Sequence, residues 1–245
     1  MSERQNKFEP SPPSAPRFRS GRLPLMAAGA VLLLTLGASK ASADYIFDLN
    51  LGNSAISGYL GPYANVDIGL IDSTHAIVTF TSYTNNGNIY LMGDGGTVGV
   101  NVNAASWNLS NITGSNAGTG FAQGGPYSNG GSGNEDGWGS FNQTINTFDG
   151  FTHSSDTVRF ELTNLLGNWG DASDVLTANA SGYLAAAHIF VTGDPANAAN
   201  GALTTGYATG NGGSSSVPEP NSGAILGTLW AGAWVLSRRR RQSQE

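Results

Sequence analysis

Apolar residues fall at every second position through much of this chain, and that spacing suits an extended strand with one covered face and one wet face. Tyr45, Phe47, Leu49 and Leu51 share one parity, Val66, Ile68 and Leu70 form a second run, and Val78 and Phe80 flank Thr79. Farther on, Val98, Val100 and Val102 alternate with Gly99 and Asn101, and Val158, Phe160 and Leu162 alternate with Thr157, Arg159, Glu161 and Thr163. A surface helix would place apolar residues three and four apart, a pattern almost absent here. Asn85-Asn86-Gly87-Asn88 and Gly93-Asp94-Gly95-Gly96 separate the runs with residues that accept the positive φ of tight turns. Many short strands punctuated this way predict an all-β fold, a single antiparallel β-sandwich or jelly-roll domain.

Four stretches depart from the alternation. Asn111 to Gly139 is dominated by Gly, Asn and Ser and reads as a long loop. Asp171 to Asn179 can form a short helix, with Asp171 or Ser173 as its cap. Tyr183 to Val191 reads as a buried strand in which Ala185, Ala186 and Ala187 leave room for close packing. Residues 197–216, rich in Gly, Ala, Thr and Ser, read as a linker. The organisation expected is therefore a leader over 1–43, a β domain over 44–196, a linker over 197–216 and a tail over 217–241.

The two ends carry transport signals. Arg17, Arg19 and Arg22 precede an apolar run from Leu23 to Leu36, and Ala41-Ser42-Ala43 supplies an Ala-x-Ala site for signal-peptidase cleavage before Asp44. No paired arginines precede the run and there is no cysteine for a lipid anchor, which leaves the general secretion machinery. At the other end Val217-Pro218-Glu219-Pro220 is followed by a largely apolar stretch and then by Arg238-Arg239-Arg240-Arg241. Four guanidiniums resist crossing a hydrocarbon core and act as a topological stop that keeps the C-terminus cytoplasmic. The apolar stretch from Ser222 to Leu236 is shorter than the roughly 20 residues of a comfortable span, as suits a temporary anchor. The prolines hold Val217 and Glu219 extended, the form in which a protease takes its substrate.

Motif, short span and arginine stop, in this order, resemble the PEP-CTERM sorting signal of Gram-negative exported proteins. The resemblance covers the C-terminal tail alone. It implies exosortase as a processing partner, transient anchoring in the inner membrane, release to the cell surface or extracellular matrix, and a link to exopolysaccharide, biofilm or floc formation.

Charge narrows the partners further. Of the 17 acidic residues all but Glu3, Glu9 and Glu245 lie between Asp44 and Pro220, where Arg159 is the single base. Such a body repels phosphate backbones, so no nucleic-acid partner is expected, and neutral polysaccharide, cations and other proteins remain. With no cysteine in an exported chain, stability must come from a packed core.

Chemistry is sparse. His75, His153 and His188 are scattered without metal-ligand spacing, and no nucleophile elbow or phosphate-cradling glycine loop occurs. His188, inside an apolar strand, reads as a hydrogen-bonded structural residue. Glu135 with Asp136, or Asp171 with Asp174, would suit a glycoside-active enzyme only at the right carboxyl separation, and acidic surface loops account for them as well. No enzyme and no cofactor are expected. Asn134 to Gly137 and Asp171 to Asp174 offer oxygen donors to a structural calcium ion, without the spacing of an EF-hand. Trp138, in Gly-Trp-Gly, and Trp169, in Asn-Trp-Gly, sit in turn-like contexts where an indole can either face a sugar or plug the end of a sandwich. Tyr63 and Tyr127, each beside a proline, are lesser candidates. The function expected is a structural or interaction protein of the matrix, with a carbohydrate-binding module using Trp138 and Trp169 as the alternative.

Overall fold

The computed structural model describes residues 43–116, 120–147, 150, 152–193, 202–212 and 215–217, all within the unit Lys40–Glu245. Among the described residues the regular elements are sixteen strands and one 3-10 turn. The signal segment before Ala43, with Ala41, and the tail from Pro218 through Arg238, Arg239, Arg240 and Arg241 lie outside the described residues. Among those described, no helix is long and apolar enough to cross a membrane.

Two antiparallel sheets hold most of the chain. The first has six strands in the order β16 (Ser215–Val217), β1 (Asp44–Leu49), β3 (Ala64–Leu70), β4 (His75–Ser82), β13 (Thr157–Asn164) and β8 (Trp107–Ser115). The second runs β10 (Ser128–Glu135), β11 (Gly139–Asn146), β7 (Val98–Val100), β14 (Ala185–Gly193), β15 (Thr204–Gly210) and β2 (Leu51–Gly52). In that sheet β6 (Asn88–Met92) also pairs with β14, and its hairpin partner is β5 (Thr84–Asn85). A small parallel pair joins β9 (Ala122–Gln123) to β12 (His153–Ser154).

Most of the alternating runs of the sequence are strands with their apolar parity in the core, although Leu51 is exposed on β2 of the second sheet and Val102 lies beyond β7. Phe47, Leu49, Val66, Ile68, Val78, Phe80, Val158, Phe160 and Leu162 of the first sheet share one buried cluster with Val98, Val100, Ile145, Ala185, Ala187, Ile189 and Val191 of the second. A shared core between two antiparallel sheets is an all-β arrangement consistent with a β-sandwich. Covering one such side chain removes it from water at a gain of about 1.5–3 kcal/mol, so each strand is fixed in register by its own period. The β5–β6 hairpin turns where Asn86 and Gly87 take φ of 50° and 74°, as the Asn-Gly pair foretells.

β14 is buried along almost its whole length. Ala185, Ala187, Ile189 and Val191 face the main core, and Phe190 meets Leu91 and Phe121 in a second cluster on the other face. The expected helix shrinks to a 3-10 turn, Ala172–Asp174, with Asp171 as its cap and a reciprocal bond from Asp174.

Two expectations are corrected. The segment 197–216 contains β15, which pairs with β14 over seven positions from Ala185↔Gly210 to Val191↔Thr204, and its end contributes to β16. Its small residues serve contact: a Cβ on Gly206 would fall 2.5 Å from Asn53 Oδ1, and one on Gly210 would strike the carbonyl of Asp48. The stretch Asn111 to Gly139 is likewise no long loop, because β8 extends to Ser115 and β10 occupies Ser128–Glu135. Bulges interrupt the β10–β11 register, and Gly131 at φ 64° lies at one of them.

Candidate functional site

A cleft of about 610 Å³ opens at one end of the two sheets, and five asparagines are among its lining residues. Here β13 ends, β8 begins, and the chain leaves β7. Beyond β7 the backbone stays extended and pairs with the segment after the 3-10 turn: Asn103 N–H donates to Val175 O at 2.9 Å and Thr177 N–H to Asn101 O at 2.9 Å. Val102 is buried between them, so the period of two puts Asn101 and Asn103 together on the opposite side. Asn142 replaces the strand pairing that lapses there, accepting from Val102 N–H at 2.7 Å and donating to Val102 O at 2.9 Å. Asn164, Leu166, Asn168 and Trp169 enter from the end of β13.

The cleft amides are held at one end. Asn103 Nδ2 donates to Asp174 O at 2.8 Å, and Asn101 Nδ2 to Ala178 O at 3.4 Å. Asn164 Oδ1 accepts from Leu166 N–H at 3.3 Å, and Asn168 Oδ1 from Ser73 Oγ at 3.4 Å. Among the described residues this leaves two acceptors, Asn101 Oδ1 and Asn103 Oδ1, and two amino groups, Asn164 Nδ2 and Asn168 Nδ2, without a protein partner. Asp174 Oδ2 is already occupied by the N–H groups of Gly170 and Asp171, at 3.0 and 3.3 Å. Among the described residues no Lys, Arg or His lines the cleft.

The two tryptophans singled out by the sequence are not brought together. Trp169 lines the cleft yet is only 2% exposed, with Nε1 donating to Asn103 O at 2.8 Å. Its indole therefore presents no open face to a sugar, which corrects that expectation. Trp138 lies in the β10–β11 turn outside the cleft and is half-buried. Its Nε1 donates to Tyr207 O at 3.0 Å, and its ring meets Tyr183 edge-on at 5.1 Å. Tyr63 is buried, its hydroxyl bonded to the carbonyls of Ile56 and Tyr59. Tyr127 is half-buried against Ser155 Oγ at 2.8 Å.

The carboxylate pairs do not converge either. Asp136 is exposed, whereas Glu135 is 1% exposed and turned onto the second sheet. Its carboxyl fits over Gly99, where a Cβ would come within 3.0 Å of Oε1. Burial pushes the Glu135 pKa up to about 8, and Oε2 has no hydrogen-bond partner. Asp171 and Asp174 serve the 3-10 turn. Among the described residues no group of three or more His, Cys, Asp or Glu is placed to hold a metal ion.

Near Glu135 lies a set that the sequence did not reveal. His188 on β14 stacks on Tyr207 of β15 at 4.4 Å and 12°, and its Nδ1 lies 3.7 Å from Asp94 Oδ2. That nitrogen makes no hydrogen bond, so the expected hydrogen-bonded histidine is instead a buried ring beside a carboxylate. Burial lowers the His188 pKa against the opposing pull of Asp94. Burial, then Glu135, Asp94 and Asp136, push Tyr207 up to about 12. Only strand register unites these four elements, and nothing in the spacing of residues 94, 135, 188 and 207 could have foretold it.

No protein-family model, curated protein or solved structure matches the chain.

Proposed function

We propose that this chain is an exported interaction protein of the cell surface or extracellular matrix, a β-sandwich or jelly roll processed at both ends and associated with exopolysaccharide, biofilm or floc formation. The general secretion machinery delivers it, the arginine stop holds it transiently in the inner membrane, and exosortase removes the tail. The observation that carries this reading is the pairing of Asp44 with Val217 across β1 and β16. Asp44 is the residue expected to follow signal-peptidase cleavage, and Val217 directly precedes Pro218-Glu219-Pro220. Asp44 and Val217 thus pair just inside the two processing signals, so both cuts leave this pairing intact.

A second reading, a carbohydrate-binding module, is favoured by the amide-rich cleft, whose one charged lining residue among those described, Asp174, is engaged by backbone N–H groups, rather than by Trp138 and Trp169. The primary reading is tested by replacing Arg238 to Arg241 together with glutamine and fractionating the producing cells. Loss of the stop should leave the precursor mislocalised or uncut. Membrane retention and tail removal identical to the parent would contradict it.

A further inference from the structure

We propose that the asparagine-lined cleft is a binding site for an uncharged, hydroxyl-rich saccharide, such as a segment of neutral polysaccharide. This deepens the carbohydrate-binding reading above and rests on it.

A volume of about 610 Å³ lies within the roughly 300–1,000 Å³ of clefts that hold small ligands. A sugar hydroxyl both donates and accepts, so it pairs best with a wall carrying both kinds of group. Asn101 Oδ1 and Asn103 Oδ1 accept, Asn164 Nδ2 and Asn168 Nδ2 donate, and all four line the same cleft. Because the other end of each amide is already bonded within the protein, ligand binding freezes little additional side-chain motion.

Exclusion follows from charge. A uronate, sulfate or phosphate group would find no cation in the cleft and would face a body with fourteen acidic residues and one base. Leu166 lines the cleft at 77% exposure beside Leu165 at 55%, which supplies an apolar surface for the C–H face of a pyranose. Trp169 is a positioning residue in this scheme, since its indole N–H fixes the Asn103 carbonyl.

The test uses the purified chain with whatever termini the producing cells give it. Affinity electrophoresis in gels containing dextran, mannan, galactan or a neutral β-glucan is compared with gels containing alginate. At least one neutral polymer should retard the protein and alginate should not. Asn168 and Leu166 are both exposed, so Asn168→Ala and Leu166→Ser should preserve the melting temperature. Each should weaken retardation, Asn168→Ala by about 2–10-fold as expected for one lost uncharged hydrogen bond, and the pair by more than either alone.

Trp138→Ala, outside the cleft, should bind like the parent. Retardation by no neutral polymer overturns the proposal, as does stronger retardation by alginate. So does a result in which Trp138→Ala abolishes binding while the cleft variants bind normally. A chain that binds neutral polymer yet retains its arginine tail outside the cell would sink the processing reading and leave the site standing.

Discussion

Trp138 and Trp169 sit in similar glycine-flanked contexts, yet the fold gives them different work. Removing the buried indole of Trp169 also frees the Asn103 carbonyl, so Trp169→Ala should cost about 3–5 kcal/mol. Trp138→Ala, which loses a half-buried ring and one bond to Tyr207, should cost less, and urea unfolding of the two variants ranks them. Equal losses would contradict the assigned burial. Local sequence could not separate the two indoles, because burial depends on Ser73 and Asn103, both far from Trp169 along the chain. Glu135 gives a second prediction at this scale. Its pKa rises from an ordinary 4.5 to about 8, so the folded chain keeps a proton there that the unfolded chain has released. Its contribution is fully present below about pH 4.5 and is lost as the pH rises toward 8. His188, held below 6.5, stays neutral in the fold while the unfolded ring takes up a proton, so stability also falls as the pH drops beneath 6.5. Glu135→Gln should flatten the alkaline limb of a melting-temperature profile from about pH 5 to 9 and leave the acid limb. An unchanged alkaline limb would show that the buried carboxyl does not set it.

β15 shows where strand reading from sequence fails. Thr204–Gly210 carries Gly, Ala and Thr because it is packed against Asn53, Ile56 and Asp48, and small residues chosen for close contact look the same as those of a flexible linker. β10 misleads for a related reason. Gly130 and Gly133 lie under cross-strand side chains, with a Cβ on Gly133 reaching 2.8 Å from Thr144 Cγ2, and its bulges erase the period of two. The strands that were legible, β3, β4, β7 and β13, repeat buried apolar residues on one parity, with mostly polar residues or glycine on the other. Because β15 pairs with β14 over seven positions, a chain ended at Gly193 should lose its cooperative thermal transition, while one ended at Val217 should keep it. Circular dichroism melts decide this. A sharp transition in the shorter chain would return residues 197–216 to the status of a linker.

At the scale of the molecule, both boundaries of the described body and the asparagine-lined cleft lie at the same end of the six-stranded sheet. β1 begins, β3 ends, β4 begins, β13 ends and β8 begins there, and Val217 pairs with Asp44 beside them. Only four residues separate Val217 from Ser222, a reach of no more than about 18 Å. On the proposed topology so short a tether should keep the cleft end of the sheet close to the bilayer until the tail is cut. Full-length chain in liposomes should therefore retain neutral polymer less well than chain ended at Pro220, and equal retention by sedimentation would contradict that orientation. The cleft itself was not legible in advance, since its asparagines come from three separate stretches whose register alone unites them. The proposed transport signals need no such register, because each is contiguous in the chain. The central claim, export with processing at both ends of the paired strands, is met most directly by the intact mass of the extracellular protein. The account predicts a species that begins at or near Asp44 and lacks everything after Pro220. A dominant extracellular species still carrying Arg238 to Arg241 would contradict it.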